Sequence, residues 1–228
     1  MKKLYTTMRT AGIFLFLLLA NLGMLNSQTV VYVATDGTGD GSSWAQAAND
    51  LQAAINAAGA GTSIWIKAGT YNTPGDTSFT LKEGVSLYGG FAGTETAVDE
   101  RTDFRPGGAN ETILSGGNAH RVINGVDITS ATVFSGITVK DGDNSSETYD
   151  TGGGMRLNGG NMTIEKSAFI GNVAAGNSGG LYLFNAVTSS ISDCIFAANQ
   201  SGARGGATYT ATGCDAVFTN CIFENNSA

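Results

Sequence analysis

At 228 residues, with 42% hydrophobic and 14% charged residues, the chain has the composition of a globular domain, which argues against disorder. Its 33 glycines beside only 2 prolines, without a G-X-Y period, exclude a collagen or proline-rich linker and call for many tight turns between short strands. A formal net charge of −7 argues against nucleic acid as a partner.

The amino-terminal stretch "MKKLYTTMR" is basic, and the apolar run "AGIFLFLLLA" is too short to span a bilayer. Residues 1–27 therefore read as a secretory signal peptide cleaved near Ser27, and no cysteine lies there to carry a lipid. Its removal takes away Lys2, Lys3 and Arg9 and no acid, leaving 9 basic against 19 acidic residues and a formal charge of −10. No transmembrane helix is expected in the mature chain, so the protein is expected at the cell surface, in the outer membrane, or outside the cell.

Residues 28–62 form a first unit. Val31, Tyr32 and Val33 read as a short strand, and "DGTGDG" as a turn cluster. Ser43 and Gln46 have capping-box spacing, and Trp44, Ala47, Ala48, Leu51, Ile55 and Ala58 recur at three- and four-residue steps before Gly59. This predicts one amphipathic helix from Trp44 to Ala58, placed as a cap over one end of the fold.

From residue 63 to residue 228 the pattern becomes short apolar alternations separated by glycine, as in "SIWIKAGTY", "FTLKEGVSLYGGFAG" and "TVFSGITVKDG". No helix of crossover length lies between them, so the strands must pack against their own neighbours in a winding sheet. Phe169, Phe196 and Phe223 are spaced 27 and 27 apart, and Gly154, Gly180 and Gly206 are spaced 26 and 26, about one solenoid turn. Each Phe is preceded five residues earlier by Ile164, Ile191 or Phe218, and two earlier by Ser167, Cys194 or Cys221. Neighbouring coils lie about 4.8 Å apart, so equivalent residues stack like on like. Phe169, Phe196 and Phe223 should form a core ladder, and Asn172, Asn199 and Asn226 an amide ladder at a corner.

Alternation after the glycine pairs points Met155, Leu157, Leu181, Leu183, Ala207 and Tyr209 inward, and Arg156, Tyr182, Phe184 and Thr208 outward. Phe134 reads as the aromatic of an earlier coil, with the surplus over one period placed in a protruding loop at residues 143–151. Cys194 and Cys221 fall at equivalent positions on adjacent coils, whose side-by-side Cβ vectors favour a buried thiol ladder over a bond. Cys214 has no evident partner, and an odd count of three leaves at least one thiol unpaired.

The segments "YVATDGTGDGSSWAQAANDLQAAINAA", "IWIKAGTYN", "FTLKEGVSLYGGFAGTET" and "ETILSGG", followed by GG-x and F-x-x-N repeats, resemble the right-handed parallel β-helix proteins of the pectin-lyase-like class. More narrowly they are similar to exported bacterial surface proteins with polymorphic outer membrane protein repeats, many from the Bacteroidetes. The resemblance implies an all-β, single-stranded right-handed parallel β-helix with an amino-terminal capping α-helix. Such proteins often end in a sorting domain, whereas this chain stops within a coil at "ENNSA", which predicts a fragment.

Sugar-cleaving enzymes share this fold, so chemistry has to be read from residues. Hydrolysis needs paired carboxylates, and calcium-dependent elimination needs stacked acids with a base; neither constellation is evident. His120, the sole histidine, and Arg121 are the candidates for catalysis, against an ordinary strand or turn position. Asp36, Asp40, Asp141, Asp143, Glu147 and Asp150 could supply oxygen ligands to calcium, although their spacing fits neither the EF-hand nor the nonapeptide repeat and turn chemistry explains the first two. No other cofactor is expected. Arg156, Tyr182 and Phe184 form a candidate stacking platform for a glycan. Two functions compete: a non-catalytic surface or secreted β-helix in adhesion or glycan binding, with an extracellular glycan or a host or cell-surface protein as partner, and a polysaccharide lyase or glycoside hydrolase.

Overall fold

The computed structural model describes residues 28–145 and 150–228, so the expected signal peptide and Glu147 lie outside the described residues. Strand β1 (Val30–Val33) is followed by a 3-10 turn at Trp44–Gln46 and by helix α1 (Leu51–Ala57). Short strands β2 (Ser63–Lys67), β3 (Gly69–Asn72), β4 (Phe79–Thr80) and β5 (Ser86–Phe91) come next. After the loop of residues 92–111 come β6 (Thr112–Ser115), β7 (Ile123–Ser135) and β8 (Ile137–Lys140). The repeats then give β9 (Met155–Glu165), β10 (Ala168–Ile170) and β11 (Val173–Ala174), then β12 (Leu181–Ser192), β13 (Ile195–Ala197) and β14 (Gln200–Ser201). The last coil holds β15 (Thr208–Thr210), β16 (Asp215–Thr219) and β17 (Ile222–Glu224).

Strands this narrow cannot bury a face alone, whether short or long and bent, and each pairs in parallel with a strand one coil away. One sheet runs β1-β2-β5-β7-β9-β12-β15, with β16 also on β12 and β4 on β7; a second runs β3-β6-β8-β10-β13-β17; β11 and β14 form a third. The chain is an all-β parallel β-helix with an amino-terminal α-helix. Its long strands bend where Asp127, Gly159 and Asn185 stack with left-handed φ of 52°, 75° and 60°. Each residue type there, Asp, Gly or Asn, tolerates that conformation at low cost.

The ladders form as the 27-residue period requires. Phe169 pairs with Phe196 and Phe196 with Phe223 in register, with ring centroids 4.9 and 5.0 Å apart and planes within 4° and 6° of parallel. Ile164, Ile191 and Phe218 make the adjoining column. Among the asparagines, the main-chain N–H and side-chain Nδ2 of Asn172 both donate to Oδ1 of Asn199, at 3.1 and 2.9 Å. Asn199 donates in the same way to Asn226, at 3.0 and 2.9 Å. Asn172 and Asn199 are wholly buried, so each amide satisfies main-chain groups that water cannot reach. The glycine that follows each left-handed turn residue, at 153, 179 and 206, is there for close approach: a Cβ on Gly153 would stand 2.1 Å from the carbonyl oxygen of Val173.

Four expectations are corrected. The helix is α1 alone, capped by Asp50, whose side chain accepts from the N–H of Ala53 at 2.9 Å; Ser43 makes no side-chain cap. Residues 47–48 are extended, and Ala48 bridges Val33, because this lets the Trp44 ring pack on Tyr32, Trp65 and Phe91. That aromatic contact outweighs the helical spacing of alanines. Phe134 stacks on Ile164, not in the Phe169 column, where Val139 stands instead, so the coil is only three residues longer than the later ones. In the last coil Thr208 pairs with Leu181 and Tyr209 with Tyr182, so Tyr209 shares the outward row while Thr208 takes the inward one. The left-handed turn residues Gly152, Ser178 and Gly205 set this register, and the glycine pairs themselves do not. Finally, Arg156 is buried and does not face solvent.

Candidate functional site

The most built-up outward surface lies on the sheet that carries β7, β9, β12 and β15. Alternation buries Met155, Leu157, Leu181 and Leu183 and turns the residues between them outward. Parallel register then aligns Asn124, Arg156, Tyr182 and Tyr209 in one row, and Val126, Asn158 and Phe184 in the next. The rings of Tyr182 and Tyr209 stack at 5.6 Å and 14°, and Tyr182 lies 5.5 Å from Phe184. The Arg156 guanidinium sits 4.5 Å from the centre of the Phe184 ring, a cation–π contact that holds the arginine against the sheet. Beside it Asn185 donates through Nδ2 to Oδ1 of Asn158 at 2.8 Å, and Val126 is 44% exposed. Burial pushes the Tyr182 phenol up, with Tyr209 adding to the effect and Arg156 opposing it. The result is a strip of half-buried aromatic rings bordered by carboxamides and backed by one cation.

Arg156, Tyr182 and Phe184 are thus brought together, with Arg156 buried beside the Phe184 ring. Tyr209 was missed by alternation counted from the glycine pair; the 27-residue step from Tyr182 finds it.

The other sequence candidates are dispersed. His120 Nε2 stands 3.9 Å from Asp76 Oδ1 on the loop between β3 and β4. Arg121 is buried and donates through Nε and Nη2 to the carbonyls of Thr151 and Gly152, which fixes the turn into β9. Asp36 pairs with Lys67 at 3.3 Å, and Asp141 with Lys140 at 3.3 Å. Asp40 accepts from the N–H of Ser42 at 3.0 Å; bonds from Ser42 hold its carboxyl below the usual range. Asp143 accepts from both donors of Ser145, and the carbonyl of Asp150 accepts from the N–H of Gly176. Among the described residues, no group of three or more His, Cys, Asp or Glu side chains could hold a metal.

An arginine that sequence reasoning passed over organises the loop of residues 92–111. Arg101 is buried, donates to Gly89 O at 2.7 Å and Ser135 Oγ at 3.2 Å, and lies within 5.6 Å of the rings of Tyr88, Phe91 and Phe104. Ser135 Oγ in turn donates to Glu165. These contacts join residues up to 34 apart in sequence, so no local pattern announces them.

The cysteines are free thiols. Cys194 Sγ contacts the carbonyls of Ser192 and Ile164, and Cys221 Sγ those of Thr219 and Ile191. The ladder arrangement therefore holds, with Ser167 Oγ in the same position on Glu165 O. Cys214 is likewise a free thiol without a disulfide partner, and its Sγ accepts from the N–H of Val187 at 3.4 Å.

No family model matches the chain, and no curated protein does. Among solved structures it is similar to the crystal structure of pectate lyase Pel9A, at 18% identity and a TM-score of 0.57, covering 85% of this chain. The chain spans 47% of the length of that lyase. A candidate glycosyl hydrolase from Parabacteroides merdae matches 76% of this chain and 88% of its own at 14% identity, with a TM-score of 0.39 that carries no argument. The likeness to the lyase is one of fold.

Proposed function

We propose that this chain is an exported β-helix, at the cell surface or secreted, that binds a glycan on the strip formed by Tyr182, Phe184 and Tyr209 and does not cleave it. The observation that carries this reading is the register that sets two tyrosines, a phenylalanine and Arg156 side by side on one rigid sheet. Sugar rings present C–H faces to aromatic side chains and hydroxyls to carboxamides, and Asn124, Asn158 and Asn185 border the strip. The signal-like residues 1–27 support export, and the polymorphic-repeat resemblance supports a surface location.

A glycan array, followed by titration of the best binder, tests the site: Tyr182→Ala and Phe184→Ala should each weaken binding by up to about tenfold, the size of one lost stacking contact. Unchanged binding in both variants would remove the strip from the reading. The competing enzymatic reading rests on the fold shared with a pectate lyase and on the His120–Asp76 approach. Incubation with pectins, alginates and glycosaminoglycans, following unsaturated products and reducing ends, should give no turnover; turnover abolished by His120→Ala would establish the enzyme instead.

A further inference from the structure

A cleft that shares no residue with the aromatic strip lies where the turn after β1 and the start of α1 face β3 and the loop leading to β4. It encloses about 490 Å³, the size of a small-molecule site. Leu51, Tyr71 and Phe79 line it and are buried, so they form its floor. That floor is fixed. The Tyr71 hydroxyl donates to Lys67 O at 3.0 Å, and burial pushes its phenol up, which keeps it uncharged. Gln52, at one side, is clamped to β4, donating to Thr80 O at 3.2 Å and accepting from the Thr80 N–H at 2.8 Å. The walls carry Thr35, Asn49, Thr70 and Asn72, all exposed, whose side chains meet no hydrogen-bond partner among the described residues. Asp50 is the one ionised side chain among the described residues that line the cleft, and it caps α1 through the N–H of Ala53. The cleft does not depend on where the sequence starts or stops. Its residues fall between 35 and 79, and Thr29, beside the first described residue, lines a different hollow that meets this one at Asn49 and Asp50.

We propose that this cleft is a second carbohydrate site, taking one or two neutral sugar rings and working independently of the strip. An apolar floor receives the C–H face of a pyranose, while carboxamides and hydroxyls, which both donate and accept, match its hydroxyl groups. Asn49 and Asn72 supply those bonds without giving up any that the fold uses. Charge decides which sugars enter. Asp50 faces the cleft with no cation beside it among the described lining residues, and residues 28–111 carry 10 acidic against 4 basic side chains. A carboxylate or sulfate brought here meets repulsion, so the site selects uncharged rings.

The test titrates the ¹⁵N-labelled chain with glucose, galactose, N-acetylglucosamine, cellobiose and lactose, and with glucuronate and galacturonate as charged counterparts. The side-chain amide signals of Asn49 and Asn72 should shift saturably with at least one neutral sugar. Asn49→Ala and Asn72→Ala alter exposed side chains that the fold does not use, so circular dichroism should stay native. Each should weaken that binding about two- to tenfold, the size of one neutral hydrogen bond. The uronates should bind at least about threefold more weakly than the best neutral sugar, and Asp50→Asn, which retains the helix cap, should narrow that gap. Tyr182→Ala should leave the titration unchanged, so this site and the strip stand or fall separately. No saturable shift at Asn49 and Asn72 with any neutral sugar would overturn the proposal. So would unchanged binding in both alanine variants, or a uronate bound as tightly as the best neutral sugar.

Discussion

Asn199 and Cys194 show what single side chains do inside a stacked coil. Replacing Asn199 by leucine removes the acceptor for both donors of Asn172 and takes the Nδ2 donor away from Phe169 O, all in a site closed to water. We expect a loss of about 3 kcal/mol in urea unfolding, the scale of unsatisfied buried polar groups, and a smaller loss for Asn226→Leu, whose side chain is only partly buried. Cys194 is fully buried, and desolvation pushes its thiol up to about 12. Because the folded thiol titrates above its ordinary value of 9.0, its contribution is intact below that pH and is lost as pH rises through about 9 toward about 12. Cys194→Ser puts at this position the residue that the preceding coil already carries as Ser167, and should therefore flatten the fall in unfolding free energy between pH 8 and about pH 11. Native labelling at pH 8 should modify Cys221 well before Cys194.

Among the elements, α1 and the loop of residues 92–111 are the parts that the sequence discloses least. Helix α1 buries Leu51, Ala54 and Ile55 against the first coil, so Ile55→Ala should lower stability by about 3 kcal/mol, measured by thermal or urea unfolding. Its start could not be read from spacing, because the alanines at 47 and 48 fit a helical face and an extended edge equally well. What decided between them was the Trp44 ring on Tyr32 at 4.8 Å, with its Nε1–H on the carbonyl of Glu95, 51 residues away. The same limit hid the Arg101 clamp. By contrast the Phe and Asn columns were legible, since a fixed period puts equivalent residues on equivalent neighbours whatever lies between. The outward strip was half legible: alternation gave Tyr182 and Phe184, but whether Arg156 reaches water depends on the ring of Phe184 beside it. Arg101→Met should detach the loop from Gly89 and Ser135, costing about 2 kcal/mol and raising protease cleavage within residues 92–111.

For the whole molecule, each coil touches only the coils before and after it, so stability is a sum along an axis rather than around a centre. Interior coils around β8 and β10 should hold their amide protons longest, and β16 and β17, with Val217, Ile222 and Phe223 exposed, should exchange first in hydrogen–deuterium measurements. Uniform protection across all coils would contradict this. The corner column of Lys166, Asp193 and Asn220, each with a left-handed φ, has a further consequence. Identical residues suit the interior, where ring on ring and amide on amide are favourable, but a like charge repeated every 4.8 Å would cost about 1 kcal/mol per step even in water. Here a cation, an anion and an amide succeed one another, and Asn220 donates to Asp193. Winding the chain this way therefore asks the exterior to diversify while the interior copies itself, so two such proteins could share every buried column and almost no surface letter.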